Sequence, residues 1–109
     1  MNIEGFLGEI RIIAAEAIPD NWLPCDGRTI QIRDNPALFS LLGTTYGGDG
    51  KNTFALPDLR ARVPISMGEH REQGQLVAAA STKGAPAEQP FLALNFCICI
   101  IYAYFPPRP

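Results

Sequence analysis

Charge is scarce in this sequence. Only 18% of its 109 residues are charged, nine Lys/Arg against eleven Asp/Glu, and no segment gathers the basic ones together. Nucleic-acid-binding modules carry a basic stripe that displaces counterions from phosphates, so DNA and RNA are excluded as partners. Histidine is scarcer still. The single one, His70, sits among Glu69, Arg71 and Glu72 in a polar stretch. A general base needs a pocket and an orienting partner, so His70 reads as a solvated side chain and no catalysis is expected. Long apolar runs are missing too. The longest, Phe91 to Phe105, contains Asn95 and two tyrosines and is closed by Pro106 and Pro107. That falls short of the ~20 apolar residues of a membrane helix, so no membrane insertion is expected. The first residues lack a basic segment leading into an apolar one, so no cleavable leader is read there.

Cofactor motifs are equally absent. Gly47-Gly48-Asp49-Gly50-Lys51 lacks the spacing and the following helix of a phosphate loop and reads as a tight surface turn. Asp26, Asp49 and Asp58 lie in Gly- or Pro-flanked turns without the alternating acidic spacing of a calcium loop. Their structural explanations are a hairpin for Asp26, tolerance of positive φ for Asp49, and bonding to loop amides for Asp58. No metal or cofactor is expected.

What the sequence does have is punctuation. Ten glycines and ten prolines stand beside a 47% hydrophobic content. That content excludes a disordered chain, and the absence of a Gly-x-y period excludes collagen. A turn-rich domain with short elements remains, of α+β class: a small mixed β domain with short strands, one short helix and long irregular Gly-rich loops.

Phe6 to Ala14 alternates with the period of a half-buried strand. Trp22–Cys25 and Arg28–Ile32 read as two strands joined by an Asp26-Gly27 hairpin turn. Asn35-Pro36 opens a helix, with Asn as cap and Pro at its first position; Leu38, Leu41 and Leu42 form its buried stripe, and Gly43 ends it. Arg60 to Met67 predicts a further short strand, at an edge or bulge because of Pro64. The chain therefore divides into residues 1–67, a mobile connection at 68–90, and a terminal apolar strand at 91–109.

That terminal run is β-branched and aromatic, which favours strand over helix. Fifteen extended residues span roughly 50 Å at ~3.3 Å each, longer than a globule of this size is wide, about 35 Å. The run must therefore bend into two strands or reach a neighbouring subunit. Phe91, Leu92, Leu94, Phe96, Ile98, Ile100, Tyr102 and Phe105 are the candidate assembly residues. Within the run, Cys97 and Cys99 are two apart and share a face, at or beyond the limit for a disulfide with each other. Buried free thiols, a bond to Cys25, a bond between chains, and a zinc site with His70 are the alternatives. Tyr46, Asp49, Lys51 and Phe54 mark a candidate surface loop; Trp22, Tyr46 and Phe54 serve either as a sugar-stacking surface or as core, core being the preferred reading.

Four segments together resemble the phage tail collar domain, which also occurs in bacterial proteins of the microcystin-dependent type. They are Phe6–Arg11 (Phe-Leu-Gly-Glu-Ile-Arg), Trp22–Arg28 (Trp-Leu-Pro-Cys-Asp-Gly-Arg), Asn35–Gly50 and Thr53–Pro64. The resemblance runs from about Gly5 to Met67, and Gln89–Ile98 looks like the closing strand of the bacterial members. It implies a non-enzymatic structural part of a phage-tail-like or bacterial extracellular fibre, homo-oligomeric and often trimeric. An adhesin that binds a cell-surface glycan is the alternative. Fuller members carry a long, His-containing segment between the Val-Pro strand and the closing strand. Here residues 68–90 replace it, which leaves a scaffold expected to self-assemble through its terminal strand.

Overall fold

A computed structural model describes residues 3–68, 72–75 and 92–101. Five strands and one helix follow in the order β1 (Ile10–Ile13), β2 (Trp22–Pro24), β3 (Thr29–Gln31), α1 (Pro36–Leu42), β4 (Thr53–Ala55) and β5 (Asn95–Cys99). They form two antiparallel sheets, one of order β1-β5-β2 and one of β3-β4. The small α+β domain read from the sequence is the one observed.

The first sheet is organised by β5, its central strand. Ile10 faces Ile98 and Ile12 faces Phe96 on one side, while Leu23 faces Ile98 and Trp22 faces Cys99 on the other. Opposed residues share a face, so the two faces separate cleanly. Phe96, Ile98, Ile100, Leu23 and Cys25 look toward the main core, where they meet Phe54 and Leu56 and the helix residues Leu38, Phe39 and Leu42. Cys97, Cys99 and Trp22 look the other way, under Ile3, Ile13 and Ile18. Both faces of β5 are thus dry within the chain itself; Cys97 and Ile98 are fully buried. The strand has five residues rather than fifteen, so it fits the domain without bending. Phe91, Tyr102 and Phe105 lie outside the described residues, as does most of the connection at 68–90.

The expected hairpin is not formed. β2 pairs with β5 and β3 with β4, so Asp26-Gly27 is a corner that carries the chain from one sheet to the other. Gly27, at φ +78°, donates its N–H to the Pro57 carbonyl at 3.2 Å, and an isolated bridge joins Asp26 to Asp58. An Asp-Gly pair supplies the positive φ for either outcome; the partner of each strand is decided elsewhere.

The helix lies where the sequence places it, with two differences. The Asn35 side chain caps nothing; its Nδ2 donates back to the Gln31 carbonyl at 3.1 Å. Its buried face is Leu38, Phe39 and Leu42, with Leu41 left 47% exposed. Phe39 replaces Leu41 because its ring packs against Phe54 at 5.4 Å between centroids, which ties the helix to β4.

The largest departure is at residues 61–68, which are exposed throughout and form no strand except for a single bridge position at Gly68. Val63 is 83%, Ile65 58% and Met67 64% exposed. Among the described residues no hydrogen bond involves the backbone of 63–67. Pro64 withholds one donor from any ladder that the segment could join.

Candidate functional site

Two short loops carry most of the polar chemistry. In the first, Gly47, Gly48 and Gly50 all have positive φ and fold the chain around Asp49. The Asp49 carboxylate Oδ1 accepts the N–H groups of Lys51, Asn52 and Thr53 at 2.8, 2.8 and 3.0 Å. Those three donors, Thr53 foremost, hold its pKa at about 2. The positive φ expected at Asp49 is not there; its role is that of an acceptor at the centre of the turn.

This arrangement gives a pH prediction. A carboxylate whose folded pKa is depressed stabilises the fold above its unfolded value, ~3.9, and that contribution fades as pH falls toward about 2. Asp49→Ala should therefore lower the Tm at pH 7, with the two melting curves converging as pH approaches 2. A constant difference between the two proteins across that range would reject the role given to Asp49.

The second loop is a pair of Asp-x-Arg forks. Arg28 donates from Nε and Nη2 to Asp26 at 3.0 and 2.9 Å, and Arg60 does the same to Asp58 at 2.9 and 2.8 Å. Arg62 adds a further ion pair to Asp58 at 3.3 Å and donates to its backbone carbonyl at 2.9 Å. Both carboxyls are held below the usual range, Asp26 chiefly by the Arg28 side chain and Asp58 chiefly by that of Arg60. The repeated Asp-x-Arg spacing was in view in the sequence, at Asp26-Gly27-Arg28 and Asp58-Leu59-Arg60. Only the bridge between the two aspartates shows that the forks sit side by side.

Among the described residues no three His, Cys, Asp or Glu converge on a metal position, and His70 lies outside them. A cleft of about 250 Å³ is lined by Ala14, Glu16, Ala93, Leu94 and Asn95, with one titratable side chain among them. No helix among the described residues is long and apolar enough to cross a membrane.

The cysteines are free and buried. Cys97 and Cys99 share a face, as their spacing predicts, but Cys25 belongs to the opposite one. Cys25 therefore lies across the sheet from Cys97 and Cys99, and no disulfide is formed among the three. Burial pushes the Cys25 thiol up to about 12, aided by the neighbouring Cys97 and Asp26, and raises Cys97 and Cys99 as well. None is a thiolate at neutral pH.

The candidate ligand loop is also partly consumed by the core. Phe54 is fully buried and Trp22 is 3% exposed, so the preferred core reading of both describes them. Trp22 donates its indole N–H to the Ile3 carbonyl at 2.8 Å, with the Arg11 guanidinium 5.4 Å from its ring centre. Tyr46 is half-buried and its hydroxyl accepts from Gln73 Nε2 at 2.8 Å. Asp49 and Lys51 alone of the four are exposed.

Of the candidate assembly residues, Ile98 is fully buried in the chain's own core, and Phe96 and Ile100 pack against it. Leu92, at 81%, and Leu94, at 43%, stay exposed. Sequence reasoning missed two further exposed sets. Ile10 and Ile12 on β1 are 41% and 59% exposed, and Val63, Ile65 and Met67 project from the extended segment. Their signal was the period-two spacing of both stretches, which predicts a strand but not whether it finds cover.

Comparison with known proteins bears on the same stretch. Residues 8–64, more than half of the chain, match the Phage Tail Collar Domain family. Over 55 residues the chain is 42% identical to the short tail fiber protein gp12 of Enterobacteria phage T4. That alignment covers 50% of this chain and 10% of the phage protein, so the chain spans about a tenth of that relative's length. The match takes in β1 to β4, the helix, the Asp49 turn and both Asp-x-Arg forks, and on that ground the chain belongs to the phage tail collar domain family.

Proposed function

We propose that this chain is a non-enzymatic structural subunit of a phage tail fibre or a related extracellular bacterial fibre, working in several copies. One observation carries the reading. Large apolar side chains remain exposed around a sheet whose centre is already dry: Ile10 and Ile12 on its edge strand, and Leu92 and Leu94 leading into its central one. Large apolar side chains left exposed along the edge and the entry of one sheet are what an interaction site would cover. The match to a phage short tail fiber protein supports a virion-associated setting. The terminal run contributes through Leu92 and Leu94, since Phe96, Ile98 and Ile100 serve the chain's own core. A glycan-binding role is the weaker reading, because two of its three candidate stacking residues, Trp22 and Phe54, are buried, and the half-buried Tyr46 already accepts a hydrogen bond from Gln73.

Multi-angle light scattering at micromolar concentration tests this. A discrete multimer or a filament is expected. Replacing Leu92 and Leu94 by Asp should shift the distribution to smaller species while near-ultraviolet dichroism stays unchanged. A strictly monomeric chain at all concentrations would sink the proposal.

A further inference from the structure

The two edges of the first sheet differ in what they can accept. Cys25 donates to the Phe96 carbonyl and Ile100 to that of Asn21, each at 2.9 Å, so β2 turns its odd-numbered backbone groups toward β5. Trp22 and Pro24 therefore face outward. Trp22 spends its N–H on the Pro19 carbonyl at 3.3 Å and Pro24 has none, so this edge is closed. On the other side, Cys99 donates to the Glu9 carbonyl at 2.9 Å, which in the observed register turns Arg11 and Ile13 toward β5. Ile10 and Ile12 then direct their N–H and C=O groups outward, and the described residues offer them no partner. This edge is open.

The exposed segment at 63–67 has the matching properties. Its backbone forms no hydrogen bonds among the described residues, and its donors are available at alternate positions. Val63, Ile65 and Met67 keep their N–H groups, while Pro64 lies at the other parity. Paired through the intact parity, the segment turns Pro64 away from its neighbour, as an edge strand tolerates. In antiparallel pairing the same parity sets Val63, Ile65 and Met67 on the face that carries Ile10 and Ile12, because residues that exchange hydrogen bonds stand directly opposite and share a face. The available donors and the apolar side chains thus belong to one register class, and a slip by one residue forfeits both.

We propose that the 63–67 arm of one copy adds as a strand to the open β1 edge of a second copy. The inference rests on the multi-copy reading above and names the contact. A second copy is the partner because the arm is rooted on the far side of the sheet. Leu59 donates to the Cys25 carbonyl at 2.9 Å just beyond β2, and Arg62 is fastened to Asp58, whereas β1 lies across β5. Each copy therefore offers one arm and one acceptor, a head-to-tail contact that closes as a ring or continues as a fibre.

Sedimentation velocity on the full chain tests the parity directly. Ile65→Pro removes a donor that the contact uses and should weaken self-association about tenfold or more. Ser66→Pro shares the parity of Pro64 and should assemble like the unmodified chain. Both positions are exposed, so near-ultraviolet dichroism should not change in either. If Ile65→Pro associates normally, or Ser66→Pro is weakened as much, the arm contact is wrong while the multi-copy reading stands. An unmodified chain that stays monomeric overturns both. Mixing an Ile12→Cys chain with an Ile65→Cys chain should give a disulfide between two chains; a chain carrying both changes that closes only on itself would make the arm its own partner and overturn the proposal.

Discussion

A chain that ends before Leu92 is expected to lose its fold altogether: no near-ultraviolet dichroism, no cooperative thermal transition, and Trp22 emission shifted to the red. The reason is the position of β5. β1 and β2 have no contact register with each other; each pairs only with β5. Its removal takes away Phe96 and Ile98 from one core and Cys97 and Cys99 from the other. Truncating a single buried aliphatic or aromatic side chain costs ~2–5 kcal/mol, while a whole domain is stable by only ~5–15 kcal/mol. Losing two such side chains, two buried thiols and both ladders exceeds what the remainder can offset. A truncated protein that still melted sharply would show that β5 is not part of this sheet. The prediction also fixes how assembly must be studied. Truncation cannot separate loss of a neighbour from loss of the domain, so point changes at exposed positions are required.

Gly48→Ala should be the most damaging single methyl group in the chain. Gly48 has φ +91°, and a Cβ there would lie 2.4 Å from Phe54 Cα and 2.7 Å from the Thr53 carbonyl oxygen. Both obstacles are backbone, in the strand β4 that carries the buried Phe54. The backbone conformation alone costs an L-residue ~1–2 kcal/mol, and forced overpacking adds ~1–3 kcal/mol. A total near 3 kcal/mol would lower the Tm by on the order of 15 °C for a domain of this size. Gly43→Ala is the control. It also has positive φ, at +55°, but a Cβ there meets nothing within 4 Å. With ψ at −143° its backbone lies in a region that favours glycine, so its cost should be the conformational one alone, with no overpacking added. Equal losses at the two positions would mean that the approach of the Gly48 loop to β4 is not as described.

Much of this molecule is legible locally. Asn35-Pro36 and Gly43 bracket a helix because the constraints on φ and on donors are properties of those residues themselves. The shared face of Cys97 and Cys99 follows from pleat geometry alone. What stays hidden is pairing. The Asp26-Gly27 turn suits a hairpin and a corner equally well; here Phe96 bonds the backbone before it and Leu56 the backbone after it, which makes it a corner. The apolar character of the terminal run correctly implies cover on both faces, but sequence cannot say whose. Here Trp22 and Phe54, distant in the chain, supply it. The site was less legible than the fold, because exposure at Ile12 or Ile65 is a statement about what fails to pack there, and a β-branched residue looks the same in either case.

The central place of β5 also sets a schedule. About seventy residues of chain separate the end of β2 from the start of β5. At a synthesis rate of ~5–20 residues per second, that interval lasts roughly 4–14 s. Throughout it the first two strands are made but have nothing to pair with, since the strand that both require does not yet exist. Contacts this distant in sequence must close a large loop before they return any stability, which makes the sheet slow to form. The nascent protein therefore passes through a period with two unpaired, isoleucine- and tryptophan-bearing segments in the open, and crowded synthesis of many copies gives neighbouring chains their best opportunity to meet.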